Sequence, residues 1–145
     1  MMSGKIVIRK AQERDVTRIH ELIRLAKKSG KILKRSKAEI KGLIHHFWVA
    51  EENEDVVACC ALETYNRKLA EIRSLAVHDR YRGRGIASGL VDRCLREAKK
   101  KRVYEVLAIT DRENIFKRFG FSEQLHGQKA LFARPAFLKM KRLSA

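Results

Sequence analysis

"RYRGRGIASGL" (residues 80–90) sets three arginines and two glycines into six residues and then runs straight into an apolar helical pattern. Ile86, Ala87, Leu90, Val91, Cys94, Leu95 and Ala98 recur on one helical face, and "KKKR" (99–102) closes the run, so the spacing predicts a helix opening at 86. Successive backbone N–H groups in a glycine-bearing turn form an anion-binding concavity, and the helix start behind it adds unpaired donors and a positive dipole end. Gly83 and Gly85 admit backbone dihedrals closed to other residues and present no Cβ to an approaching phosphate. The spacing is neither a P-loop nor a Rossmann fingerprint, whose third glycine is replaced by Ser88. On these residues alone, a basic solvent-exposed turn competes with a phosphate cradle.

Working outward, "KIVIR" (5–9) reads as a first strand. Val16, Ile19, Leu22, Ile23 and Ala26 line one face of a helix that opens with Asp15 and closes with Lys27, Lys28 and Gly30. Ser36 and Glu39 stand at capping-box spacing and start a second helix, after the basic linker "KILKRS" (31–36). Turn signals at Asn53–Asp55 and Asn66–Lys68 divide residues 47–77 into three strands, with Phe47 and Trp48 expected in the core. "VYEVLAIT" (103–110) lacks polar alternation and is expected to be a strand buried on both faces. A short helix over "RENIFKRF" (112–119), ended by Gly120, and a late strand over "ALFARP" (130–135) complete the series. The order β-α-α-β-β-β-α-β-α-β predicts a mixed α/β sheet with helices on both faces, in a single domain over 1–145.

Lys plus Arg number 33 against 17 Asp plus Glu, a formal net charge of +16. Such a field draws anions in general, and nucleic acid is weighed for that reason. The basic residues are spread over most segments and do not interleave with aromatics, which disfavours nucleic acid. Cys59, Cys60 and Cys94 form no disulfide or metal spacing and read as buried thiols of a reducing cytoplasm. His45, His46, His78 and His126 share no ligand spacing, so no metal is expected. No apolar run is long enough for a signal peptide or a membrane span, which gives a cytoplasmic expectation with no membrane partner.

Arg80-x-x-Gly83-x-Gly85-Ile86-Ala87, set between the strand "AEIRSLAVH" and a helix, resembles the acetyl-CoA pyrophosphate motif of the GNAT N-acetyltransferases. "VLAITDRENIFKRFGF" resembles the family's later motif, with Phe116 to Phe121 as its aromatic-x-x-x-Gly-Phe ending. "GKILKRSKAEI", "VVACCAL" and "AEIRSLAV" are most similar to the acetyltransferase domain of N-acetylglutamate synthase, here without room for that enzyme's kinase-like domain. The resemblance implies a GNAT-like, mostly antiparallel sheet with splayed central parallel strands. It also implies direct acetyl transfer from acetyl-CoA to an amino acid, with L-glutamate leading, as in arginine biosynthesis. Leu75, Ala76 and Val77 would pair with the pantetheine arm of coenzyme A. Arg80, Tyr81, Arg82, Gly83, Arg84, Gly85, Ile86 and Ala87 would surround the pyrophosphate, the arginines as charge support and the backbone as ligand, with Phe116 also lining the cofactor site.

On the chemistry, a backbone N–H near Leu75 would meet the oxyanion. The resemblance makes Glu71 the base, with an ion pair to Arg73 as the competing reading. Phe116 stands where many relatives carry a tyrosine acid, so Thr110 is the remaining hydroxyl, and it could equally cap the next helix. A free thiol ionises near about 8.5, so coenzyme A can depart without a strong acid. Lys34, Arg35, Lys129 and Arg73 are the cations that glutamate's carboxylates would need, each with the solvated surface as its common alternative. "HGQK" replaces a richer basic run of the synthases before Lys129, which loosens the claim for glutamate. A GNAT enzyme acting on another small amine, a protein N-terminus or a lysine is the alternative within the class. Outside it stands a non-catalytic coenzyme A or nucleic-acid-binding module. A homodimer is the assembly that the resemblance carries.

Overall fold

The computed structural model describes residues 4–27 and 34–137. Lys28, Gly30 and the first half of the "KILKRS" linker, residues 31–33, therefore lie outside the described residues. Strand β1 (Ile6–Lys10) is followed by a short 3-10 turn at Glu13–Asp15 and helix α1 (Val16–Lys27). Asp15 fixes that entry: its carboxylate accepts from the Gln12 backbone N–H at 2.7 Å and from both Arg9 guanidinium nitrogens at 2.8 and 3.0 Å. Helix α2 (Lys37–Gly42) starts as its sequence says, with the Ser36 hydroxyl accepting from the Glu39 N–H.

Strands β2 (Phe47–Glu52), β3 (Asp55–Thr64) and β4 (Leu69–Val77) follow as an antiparallel meander, and β1 pairs with β2. Helix α3 (Ile86–Lys100) crosses over to β5 (Glu105–Ala108), which runs parallel to β4, and helix α4 (Glu113–Lys117) comes next. The sheet order is β1-β2-β3-β4-β5. Two apolar layers hold it. On one face Ile19, Leu22, Ile23 and Ile40 of α1 and α2 pack on Phe47, Val49, Cys59 and Ala61. On the other, Ile86, Leu90, Val91, Cys94 and Ala98 of α3 and Phe116 of α4 pack on Val57, Cys60, Leu62 and Ile72. With helices on both sides, β3 is buried from Val56 to Glu63, and residues 56–62 read as an unbroken apolar run for that reason.

Three expectations need correction. Residues 130–134 form no strand. Among the described residues β5 is therefore the last strand of the sheet, beside β4. Nor is β5 buried on both faces: Tyr104 just before it is 81% exposed and Ile109 just after it 64%. A strand whose Val106 and Ala108 are only partly buried against the α3 layer needs no polar alternation to fold, so its apolar sequence overstated its burial. Phe47 is fully buried as expected, but Trp48 is only partly so and lies under the charged ends of Lys10 and Arg93, at 4.8 and 5.7 Å from its ring centroid.

Candidate active site

The two parallel strands stay together for four residue pairs only, from Leu69↔Glu105 to Ile72↔Ala108. Beyond that point β4 runs on to Val77 with no strand beside it on the β5 side among the described residues. In the same stretch β4 carries a bulge: Ala61 pairs with Arg73 and Cys59 with Ala76, so Cys60 faces both Ser74 and Leu75. Ser74 takes up the extra residue with φ of 57°. Its carbonyl accepts from the Cys59 thiol at 3.4 Å. Burial pushes that thiol up to about 12, so it stays a protonated donor. The outcome is a cleft where strands part, walled on one side by unpaired backbone at 73–77, which carries Leu75, Ala76 and Val77.

The glycine turn closes the end of this cleft. His78 N–H anchors β4 to the Val57 carbonyl at 2.8 Å, a 3-10 turn covers Asp79–Tyr81, and Gly83 and Gly85 then take φ of 76° and 77°. A Cβ at either glycine would meet nothing within 4 Å, so it is the left-handed backbone, not crowding, that requires glycine. Gly85 is the N-cap of α3 and no side chain caps the helix, which leaves the first N–H groups of Ile86, Ala87 and Ser88 without a side-chain acceptor. The arginines are mostly engaged elsewhere. Arg84 bonds Glu52 at 3.1 Å and lies over the Tyr81 ring, whose hydroxyl also reaches Glu52, while Arg82 pairs with Asp79 at 3.2 Å. Arg80 is exposed and carries no ion pair among the described residues. An anion here meets main-chain donors first and a positive surround second. This donor set fits a diphosphate, and the free β4 edge fits an amide-bearing arm.

Glu71 lies one residue before the strands part, on the sheet face covered by α1 and α2, and is 9% exposed. Directly across the β3–β4 ladder is Glu63, also 9% exposed, and Arg73 opposes Ala61 on the same face. Glu63 takes two guanidiniums, Arg35 at 2.8 Å and Arg73 at 2.9 Å. Burial alone would raise the Glu63 carboxyl, but these two partners overcome it and hold it below the usual carboxylate range. Arg73 Nε stands 3.9 Å from Glu71 Oε2, too far for a hydrogen bond, and the Tyr65 hydroxyl donates to Glu71 Oε1 at 2.6 Å. Glu71 and Arg73 thus form a long ion pair without a hydrogen bond, so the competing ion-pair reading of Glu71 stands beside the catalytic one.

The other expected residues are dispersed. Arg35 is 5% exposed and engaged with Glu63, while Lys34 beside it is exposed. Lys129 is exposed on the segment that forms no strand. The Thr110 hydroxyl accepts from the Arg112 N–H at 2.8 Å, which is the capping alternative in a local form, and no hydrogen bond joins it to the carboxylates among the described residues. Phe116 is a core residue, edge-on to Phe121 at 5.2 Å between centroids, and it lines a groove of about 820 Å³ with β5 and residues 119–125. Thr110 and Leu107, the strand partner of Glu71, also line that groove, whereas Glu63 and Glu71 do not. Among the described residues no cluster of His, Cys, Asp and Glu could hold a metal ion, and no helix is long and apolar enough to cross a membrane. Glu63 and Tyr65 carry no local signal of a site, although counting outward from the Asn66–Lys68 turn sets residue 63 against 71.

Comparison with known proteins places this geometry. Residues 44–123 match the family model described as "Acetyltransferase (GNAT) domain". An uncharacterized N-acetyltransferase of Chlorobaculum tepidum is 36% identical over 123 residues, spanning 85% of this chain and 79% of that one. An amino-acid acetyltransferase of Mycobacterium tuberculosis is 35% identical over 121 residues, spanning 81% and 68%. The solved structure of Rv2747 from Mycobacterium tuberculosis, in complex with CoA and NLQ, superposes with a TM-score of 0.76 at 32% identity, over 81% of this chain and 72% of that one. With a glycine turn at a helix start, a cleft between parting parallel strands and relatives of this kind, the chain belongs to the GNAT family of acetyl-CoA-dependent acetyltransferases.

Proposed function

We propose that the enzyme acetylates the α-amine of an amino acid, with L-glutamate as the leading acceptor, by direct transfer while both substrates are bound. One observation carries the reading: a buried carboxylate, Glu71, stands beside the point where the strands part, hydrogen-bonded by Tyr65 and joined to Arg73 only by a long ion pair at 3.9 Å. The likeness to the amino-acid acetyltransferase of Mycobacterium tuberculosis supports an amino acid as acceptor, and the sequence likeness to N-acetylglutamate synthase supports glutamate.

Acetyl-CoA supplies the acetyl group as an activated thioester. The amides from Tyr81 to Ala87 would hold its diphosphate and the β4 edge at Leu75–Val77 its pantetheine arm. Glu71 accepts the proton that the ammonium group of the acceptor must shed before it can attack, directly or through one water. Thr110, near the C-terminal end of β5, keeps its hydroxyl hydrogen while accepting from Arg112 and is the proposed donor on the opposite side. Holding both reactants in line can contribute up to about 7–11 kcal/mol in well-aligned cases, so modest acid–base assistance suffices. The charge inventory refines the acceptor site. Arg35 and Arg73 are matched by Glu63 and Glu71 and form a neutral floor, so Lys34 and Lys129 are the expected cations still free to meet an acceptor's carboxylates.

The test follows thiol release from acetyl-CoA with a panel of amino acids, polyamines and short peptides. Turnover with glutamate or another amino acid is expected. Turnover only with peptides or polyamines would overturn the acceptor class and keep the family chemistry.

A further inference from the structure

Tyr65 is the first residue past β3, and its backbone N–H closes the turn onto the Leu69 carbonyl at 3.0 Å. The turn itself is stiff: the Asn66 side chain accepts from the N–H groups of Lys68 at 2.7 Å and Leu69 at 3.0 Å. A rigid anchor of this kind delivers the Tyr65 hydroxyl to Glu71 Oε1 at 2.6 Å, with a longer approach to Glu63 Oε2 at 3.3 Å. A phenol has one hydrogen to give, and the shorter contact takes it. The tyrosine is itself 51% exposed, whereas the carboxylate that it contacts is 9% exposed. It is therefore the polar contact of Glu71 that reaches solvent.

The two glutamates share their partners unequally. Glu63 collects Arg35 and Arg73, while the only donor within hydrogen-bond reach of Glu71 among the described residues is the Tyr65 hydroxyl. The nearest cation, Arg73 Nε, waits at 3.9 Å from Oε2. Without the hydroxyl, a short side-chain rotation would tighten that long ion pair into a hydrogen-bonded one, and a carboxylate locked on a guanidinium is a poor acceptor for an ammonium proton. We propose that Tyr65 is the positioning residue of this active site, holding Glu71 by one oxygen so that the other stays off Arg73 and open to the acceptor. The proposal rests on the reading of Glu71 as the base. A neutral donor suits that role. Burial, followed by the Glu71 hydrogen bond, pushes the Tyr65 hydroxyl up to about 12, so it keeps its proton throughout the working range.

Tyr65→Phe keeps the ring and removes only the oxygen at a half-exposed site, so the fold survives the change. The full chain is assayed for thiol release with the best amine of the panel, alongside Glu71→Gln and the double variant. The expected result is a kcat lower by about tenfold, the worth of one hydrogen bond to a charged group, with an unchanged KM for acetyl-CoA. Adding Tyr65→Phe to Glu71→Gln should cost nothing further, because the group that it positions is already gone. A merely structural tyrosine would lower the melting temperature and leave that kcat-to-KM split unmoved. If Glu71→Gln is slow but Tyr65→Phe turns over normally, or if the two losses multiply, the positioning role is wrong and the base stands. If Glu71→Gln turns over normally, the base is wrong and the positioning role falls with it.

Discussion

Gly83→Val and Gly85→Val test the foundation of the donor site. Both positions have φ near +77°, where an L-residue pays roughly 1–2 kcal/mol and a β-branched one is a genuine outlier. Neither has an atom within 4 Å of an added Cβ, so the whole effect is conformational. Both residues are exposed in a turn, so the backbone can escape the strain by rotating to negative φ, which turns its N–H groups away from the concavity. Folding stability should then fall by no more than about 1–2 kcal/mol, or some 2–8 °C in melting temperature for a chain of this size. Losing even one amide to a diphosphate costs about 1.5–3 kcal/mol, a ten- to hundredfold weaker Kd. Titration calorimetry with acetyl-CoA reads the affinity and a thermal melt reads the fold. Gly42→Ala is the control, since Gly42 ends α2 with no positive φ and no neighbour within 4 Å, and it should leave both unchanged or raise stability slightly. A Gly85→Val protein that binds acetyl-CoA at the wild-type Kd would refute the argument that backbone donors hold the diphosphate.

Glu63→Ala should be among the most damaging single changes, because it strands a buried Arg35 guanidinium; a loss of about 3–5 kcal/mol is expected, read as a melting temperature lower by roughly 6–20 °C. Replacing the pair together, Arg35→Met with Glu63→Leu, should recover most of that loss, and a double variant as unstable as the single one would show that the charge pair itself matters. Asp15 and Glu63 both titrate below the ordinary carboxylate range when folded: burial would raise them, but Arg9 in the one case and Arg35 with Arg73 in the other outweigh it. Their contribution is therefore complete above about pH 4–5 and lost as pH falls through the depressed folded values. The melting temperature should fall on acidification below that window, and less steeply in Asp15→Asn than in wild type when each is compared with its own value at pH 7.

Local signals carried the turn and α3. Glycines at 83 and 85 and apolar residues at helical spacing report constraints that act within a few residues, and φ values and burial agree with them. The same holds for Ser36, whose cap bond spans three residues. What escaped was set by partners distant in sequence. Arg35 reads as a free surface cation until β3 brings Glu63, 28 residues away, against it. The strand expected at 130–135 rests on the apolar Leu131 and Phe132, and such a preference yields nothing when no ladder forms beside β5 among the described residues. Trp48 joined the core only in part because its ring serves two cations, a contact that spans three separate elements.

The site depends on a break in the alternation of β4. Side chains of a regular strand change face at every residue, and up to Arg73 β4 obeys: Ala70 and Ile72 point to the α3 layer, Glu71 and Arg73 to the other face. Ser74 then absorbs the extra residue, and the parity reverses. Ala76 joins the α1–α2 layer while Leu75 and Val77 join the α3 layer. Without the bulge, Val77 would leave the packing beneath α3, and the glycine turn that follows would meet the helix at a different angle. The bulge also comes just after the last pair between β4 and β5, so the stretch of backbone left open to a donor substrate begins two residues from the carboxylate that would serve the acceptor. The proposed base, the open β4 edge and the glycine turn thus follow one another along one strand and its exit, and the irregular residue between the first and the last sets their relative aim.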